Sequence, residues 1–443
     1  MTIQQVVDGG FCIGCGACTV PAPRIRIVFN RYGDLVAQLP LDVSSAELSA
    51  ASAVCPFAAG ADETAIAKLS FAEEPVQWDE EVGAHIACYA GYAPAQRTRG
   101  SSGGIATWLL TRMMERGLID YALHVAPSAT TNAERFFAYR SSKNADEIQT
   151  GSTSFYYPVS MDDVLQIVKS QPGRYAITGV PCFHKALRKL RAVDPVIDER
   201  ICYQIGIVCG QMKSAHYLDY LLRMADAPAG ELTNACFRRK VANRPANDYA
   251  FEATVRSPAG PQTVRVMNSA IGVNWGMGYF KPEACEVCDD VLAETADVAA
   301  MDAWLPKYVQ DSGGWSLVVA RTRVIEQELA LAQSSGDLVL EPISAHDVAE
   351  SQRGGLNHRR KSLPYRLWMR RGRWVPAKRF VAGRELGWPL RLEQLLRERL
   401  RLRSRSLWLR TGGAGHFAAF SQGMRFHELA YRWVQRIKRW TQR

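Results

Sequence analysis

The stretch Phe11-Cys12-Ile13-Gly14-Cys15-Gly16-Ala17-Cys18 sets three cysteines at intervals of three residues, and Cys55-Pro56 supplies a fourth cysteine ahead of a proline. Three cysteines so spaced, with a distant Cys-Pro, form the ligand pattern of a [4Fe-4S] cluster of the bacterial ferredoxin type. In a two-cluster ferredoxin a further cysteine lies four places beyond the third. Here that position is Ala22, although its proline is present as Pro23. Counting back from Cys55, the corresponding positions are Ala51, Leu48 and Ser45. The pattern therefore predicts a module keeping one cluster, held by Cys12, Cys15, Cys18 and Cys55. A structural zinc site is the competing reading, but it usually pairs C-x2-C with a second such pair or with histidines. No histidine precedes His85.

The 443 residues leave room for two or three domains. An odd number of cysteines, eleven, argues against a complete disulfide framework. The start Met1-Thr2-Ile3-Gln4-Gln5 lacks a basic segment followed by an apolar one, and no run of about 18 apolar residues occurs. The expectation is a cytoplasmic protein with its thiols reduced. The net charge of +10 is unevenly spread: residues 351–443 hold 24 Lys and Arg against 4 Glu, while the preceding residues carry 30 basic and 40 acidic groups. Such segregation concerns partners more than fold. We read three units: an iron–sulfur module over 1–80, a mixed core over 81–350 and a basic Trp/Arg-rich helical extension over 351–443.

Within the core, Ser101-Ser102-Gly103-Gly104 opens an amphipathic helix over Ile105 to Arg116, followed by a strand from Tyr121 to Val125. A helix is expected within Ala138 to Thr150 and another over Val164 to Ser170. Tyr175 to Cys182 reads as a buried strand, Lys185 to Arg191 as a basic helix, and Ile201 to Cys209 as a second buried strand. Alternating strands and helices imply a sheet with helices packed on it. The C-terminal edges of neighbouring strands are where such sheets bind ligands, so Cys182, Cys209 and the pair Cys285-Glu286-Val287-Cys288 could converge as a second set. By residue pattern alone, single strand cysteines read equally well as inert core residues, as Cys88, Cys202 and Cys236 do. The Ser101–Gly104 turn suits a phosphate at a helix start, with Arg97 and Arg99 nearby, though such turns are also ordinary caps. Ser152, Ser154, Tyr156 and Tyr157 offer hydroxyls and flat aromatic surface, fit for an isoalloxazine ring or a packed loop. Asp289, Asp290, Glu294 and Asp297 follow Cys285 and Cys288 closely; if ionised, they would lower the potential of a cluster there.

In their order along the chain, Phe11–Cys18, Cys55-Pro56-Phe57, Ser101–Gly104, Gly179-Val180-Pro181-Cys182, Cys209-Gly210, Cys285–Asp290, Glu294–Asp297 and Asp302-Ala303-Trp304 resemble the coenzyme F420 hydrogenase/dehydrogenase beta-subunit family. The likeness spans about residues 8–325 and is nearest to bacterial members found with surface-polysaccharide genes. It implies FAD beside a [4Fe-4S] cluster on Cys182, Cys209, Cys285 and Cys288, with a second cluster where the ferredoxin module is fused. It also implies flavin contacts from Ser101, Ser102, Gly103, Gly104, Ser152, Tyr156 and Tyr157. One departure is Met301, where the family pattern has glycine before Asp302.

The resulting fold expectation is α+β: a ferredoxin-like [4Fe-4S] module, a mixed α/β flavin-binding core and the basic helical extension. The expected function is an FAD- and [4Fe-4S]-dependent oxidoreductase working between a two-electron carrier, such as coenzyme F420, and one-electron carriers. The alternatives are an electron-relay subunit of a larger complex, or a scaffold whose cluster is structural or sensing. Expected partners are a redox carrier or small-molecule substrate, a partner subunit, and a membrane surface touched peripherally through 351–443. No motif for sequence-specific nucleic-acid binding is present. A solvated extension lying on the acidic body is an equal reading of the tail. No catalytic acid or base is identified, and His184, beside Cys182, is read as structural.

Overall fold

Four parallel strands, Tyr121–Pro127, Tyr175–Gly179, Ile201–Ile207 and Val298–Asp302, lie side by side in chain order at the centre of an eight-stranded sheet. Phe137–Ser142 pairs antiparallel at one edge. On the other side Ser316–Ala320, Ala87–Tyr92 and Val339–Pro342 continue the sheet antiparallel. The computed structural model describes residues 1–58, 60–128, 135–271 and 275–441.

Continuous apolar runs such as Tyr175-Ala176-Ile177, completely buried, mark strands covered on both faces. One face carries the helices Ile105–Glu115 and Arg323–Ser335, whose Leu109, Met113, Ile325 and Leu329 pack on Ala122, Ala176 and Ile205. The other carries Asp162–Ser170 and Pro181–Arg191, through Leu165, Phe183 and Leu187 against Leu123 and Ile177.

Several expected elements take different bounds. The strand at Tyr175 stops at Gly179, because Pro181 starts the next helix with its missing N–H at a position that needs no partner. Cys182 therefore sits in the first turn of a helix, not at the end of a strand. The strand at Ile201 ends at Ile207, leaving Cys209 in the loop beyond. Only Ala145–Gln149 is helical within Ala138 to Thr150, whose first residues complete the strand Phe137–Ser142. A separate antiparallel sheet, Glu231–Arg239, Ala250–Ser257 and Gly260–Met267, has no counterpart in the sequence reading.

The amino-terminal residues form a hairpin, Arg26–Phe29 with Leu35–Gln38, and the helix Ser45–Val54, started by a reciprocal Ser44–Glu47 capping box. Ile3, Phe11 and Val54 share one core with Leu165 and Leu187 of the body and Leu363 of the extension. The extension holds the helices Leu363–Met369, Trp388–Arg410 and Phe417–Thr441. Its cations reach the body's carboxylates: Arg360 meets Glu294 at 2.8 Å, Lys378 meets Asp289 at 3.3 Å, and Arg405 pairs with Asp34. These cations of the extension thus pack on the acidic body.

Candidate functional site

The first cysteine set is assembled by local turns. Gly14 and Gly16 have positive φ, +62° and +86°, and a Cβ on Gly14 would lie 2.5 Å from Leu35 Cβ. The turn brings the backbone N–H groups of Ala37 and Gly14 to Cys12 Sγ at 3.2 and 3.5 Å. Cys18 lies in the short turn Ala17–Thr19, and Cys55 caps the helix Ser45–Val54. Cys12, Cys15, Cys18 and Cys55 together line one small cavity closed by Ile3, Val6, Ile13 and Phe57. Burial pushes the Cys12 thiol up to about 11 and raises the other three as well. An all-sulfur donor set in an apolar enclosure, with amides aimed at sulfur, fits an iron–sulfur cluster.

The second set brings together a helix start, a loop and a short turn. Cys182, Cys209, Cys285 and Cys288 are electrostatic neighbours, and burial raises the Cys182, Cys209 and Cys288 thiols, Cys209 to about 12. Met212 N–H donates to Cys285 Sγ at 3.3 Å. Arg359, from the extension, donates to Cys288 Sγ and also to the carbonyls of Asp290 and Gly210, at 3.2 and 2.7 Å. The donor set again fits a cluster. Cys15 of the first set is close enough to Cys182 to act on its charge, and Tyr139 feels both thiols. The two sets therefore adjoin. Among the described residues, no three His, Cys, Asp or Glu side chains are arranged to hold a single metal ion.

Three of the four carboxylates beside the second set are paired with cations, which offsets the negative charge of the sequence reading, while burial, with Glu294 beside it, pushes Asp290 up to about 7. Asp289 is paired with Lys378, and with Arg379 at 3.5 Å. Glu294 is paired with Arg360 and Arg379, and Asp297 with Arg188 at 2.7 Å. The cation bonded to sulfur in this set is Arg359.

Beyond Cys209 opens a cavity of about 630 Å3, within the range of cofactor sites. It lies at the C-terminal edge of the parallel strands, lined by Thr178, Gly179, Ile207 and Asp302. Ser101, Ser102, Gly104, Ser152, Tyr156 and Tyr157 line it, and Met301 forms part of its wall. Ser101 Oγ ties the two loops, 3.0 Å from Thr153 Oγ1 and accepting from Ser154 N–H at 2.8 Å. Gly103 instead packs on strand Ala87–Tyr92, where a Cβ would meet Gly91 O at 2.5 Å. Arg97 is likewise engaged, paired with Asp311, bonded to Gly314 O at 3.0 Å and stacked 3.7 Å over Tyr92.

Sequence reasoning missed the cavity's charged wall. Arg238 forms a two-pronged pair with Asp302 at 2.7 and 2.9 Å and lies over Tyr249 and Trp304. Asp302-Ala303-Trp304 was recognisable as a motif, but Arg238 comes from the unread sheet. Lys213, also on the cavity wall, donates to Tyr279 O at 2.7 Å, and burial holds its pKa well below the usual lysine value. His184 is structural, as expected: both ring nitrogens are hydrogen-bonded, to Gln204, Gly179 O and Ile205 O.

His124 lines the cavity and is bonded through Nε2 to Ser142 Oγ at 2.8 Å. Burial lowers its pKa from 6.5 to about 4. The unfolded chain then takes up a proton that the folded one refuses, so stability falls as pH drops from about 6.5 to about 4, by about 3 kcal/mol. Chemical denaturation across that interval should show His124→Gln with a correspondingly flatter slope.

Comparison with known proteins places this arrangement. Residues 88–166 match the amino-terminal model of the coenzyme F420 hydrogenase/dehydrogenase beta subunit, and residues 173–346 its carboxy-terminal model. The second cysteine set and the cavity loops fall inside these segments, whereas Cys12–Cys55 and the extension fall outside. A coenzyme F420-dependent sulfite reductase of Methanocaldococcus jannaschii is 23% identical over 222 residues, 47% of this chain and 32% of that protein. The match thus spans about a third of the length of this curated relative. A chain of the xenon-derivatised F420-reducing [NiFe] hydrogenase complex from Methanosarcina barkeri shares the fold, with a TM-score of 0.50 and 17% identity over 68% of this chain and 98% of that one. With both halves of the family's description matched in order across the central sheet and its cavity, the chain belongs to the coenzyme F420 hydrogenase/dehydrogenase beta-subunit family.

Proposed function

We propose that the chain is an iron–sulfur flavoprotein oxidoreductase, with [4Fe-4S] clusters on both cysteine sets and FAD in the adjoining cavity. The observation that carries this reading is the continuous order of the three sites: the cavity reaches Cys209, and the second set reaches Cys15 of the first. Bound there, a flavin would exchange two electrons with a carrier such as coenzyme F420 and pass them singly to a cluster. The chain's own groups bind and orient. The Ser101–Gly104 turn offers the start of helix Ile105–Glu115 to phosphate. Tyr156, Tyr249 and Trp304 supply flat surface, and the Arg238–Asp302 pair fixes that wall. Cys12, Cys15, Cys18 and Cys55 hold the outer cluster, and Cys182, Cys209, Cys285 and Cys288 the inner one.

An anaerobic visible spectrum before and after dithionite, with released flavin identified by chromatography, tests the proposal. A flavin band over broad iron–sulfur absorption, both bleaching, is the expected result. A colourless protein containing zinc would overturn it. Cys18→Ser should remove about half of the bound iron while leaving the flavin band, measured by iron analysis of the same sample.

The relay reading also has an observation behind it: the fold covers 98% of one chain of a hydrogenase complex. Reduction of the flavin by reduced coenzyme F420 without any added subunit decides for the enzyme; reduction only in the presence of a partner decides for the relay.

A further inference from the structure

The helix Phe417–Thr441 is fixed to the body by one side only. Phe420, Met424, Tyr431 and Val434 are buried, packing in the core that holds Tyr279, Phe280 and Trp408. At 3.6 residues per turn, the opposite side carries Phe426, Leu429, Trp433 and Trp440. These are 76%, 55%, 59% and 81% exposed. Single exposed apolar residues are ordinary, but a stripe running along one side of a helix is not. Arg425, Arg432, Arg436 and Arg439, all exposed, run along the edge of the stripe. The helix has one carboxylate, Glu428, and it is turned inward, accepting from Tyr279 Oη at 2.6 Å. The preceding helix, Trp388–Arg410, adds Leu395, Leu402 and Leu409, seven residues apart and exposed.

We infer that the outer side of this C-terminal helix is a docking surface for an anionic lipid membrane, with Trp433 and Trp440 at the level of the headgroups. Large apolar residues backed by arginines, on a helix lying flat, are the composition of an interfacial helix. The arginines decide against a second copy of the chain, because a symmetric pairing of this face would set them against one another, and the cores of protein interfaces are depleted of charge. They also specify the lipid, since polybasic segments are drawn to anionic leaflets. No described helix is long and apolar enough to cross a membrane; the contact is peripheral. The inference is independent of the cofactors proposed above.

Vesicle flotation of the full chain tests it, using phosphatidylcholine with phosphatidylglycerol and phosphatidylcholine alone. The chain should float with the anionic vesicles only, and added salt should release it. The triple variant Phe426→Ser/Trp433→Ser/Trp440→Ser should bind roughly tenfold more weakly with an unchanged circular dichroism spectrum. Arg425→Gln/Arg432→Gln/Arg436→Gln should lose the preference for anionic vesicles. Equal binding to both vesicles, binding to neither, or wild-type binding by both variants would overturn the inference. So would a dimer in light scattering that the apolar variant converts to monomer, which would assign the face to a second copy.

Discussion

Glu286→Gln is expected to destabilise the folded chain by about 3–5 kcal/mol, the usual consequence of removing one partner from a buried ionic cluster. Glu286 is 1% exposed, and it is the centre at which cations from the extension meet the body. Lys281 pairs with it directly, Arg366 lies 3.4 Å away and Arg401 3.7 Å away. Burial alone would raise the Glu286 pKa, but Lys281, Arg366 and Arg401 overcome it and hold the carboxyl far below its ordinary range. An uncharged amide would leave Lys281 and Arg366 buried without their counter-charge, while Arg401 keeps Glu283 and Glu398. Domains are stable by only about 5–15 kcal/mol, so the urea midpoint should fall sharply with the slope unchanged. Glu231→Ala, which breaks the exposed pair with Arg256, should cost less than about 1 kcal/mol in the same assay. Equal losses for the two variants would refute the role given to Glu286.

Arg359→Gln is expected to lower the midpoint potential of the cluster proposed on the inner cysteine set by on the order of 100 mV, given a full charge placed beside a cysteine sulfur in a medium of intermediate dielectric. The sign follows from the added electron: a cation at Cys288 stabilises the reduced state, and its removal favours the oxidised one. Arg359 is 2% exposed and bonded to Cys288 Sγ, so solvent screens it little. An EPR-monitored redox titration reads the shift, with iron content as the control. Arg359→Lys should retain much of the potential, because the charge survives although the fork of donors does not. A midpoint unmoved in Arg359→Gln at full iron content would refute the role given to this arginine.

What could be read from the sequence was local. The spacing of Cys12, Cys15 and Cys18 is a statement about one loop, and that loop does line a single cavity with Cys55. The buried strands at Tyr175 and Ile201 were visible as short apolar runs, and they place Gly179 and Cys209 at the cavity. Boundaries failed where one residue overrides a run: Pro181 ends the strand early and turns Cys182 into a helix residue. The sheet spanning Glu231–Met267 escaped because only one face is covered and charged residues such as Arg238 and Glu252 interrupt its alternation. Least legible were the partners of the extension. Nothing in the local pattern at Arg359 announces Cys288, 71 residues away, or ties Arg405 to Asp34, 371 residues away. Composition established that the tail was basic and the body acidic, but only folding shows that the charges meet inside.

The contact from Arg359 to Cys288 also imposes an order of events during synthesis. A nascent chain that has emerged as far as Cys288 already contains every thiol of both sets. The outer set leans on the body, where Met161 N–H donates to Cys15 O at 3.0 Å and Lys189 to Cys55 O at 2.6 Å, partners that are made before Cys288. The inner set lacks its arginine until another 71 residues have left the ribosome and folded back across the sheet edge. A chain that ends before residue 359 would thus hold all eight thiols with Cys288 still lacking the cation that the full chain lays against it.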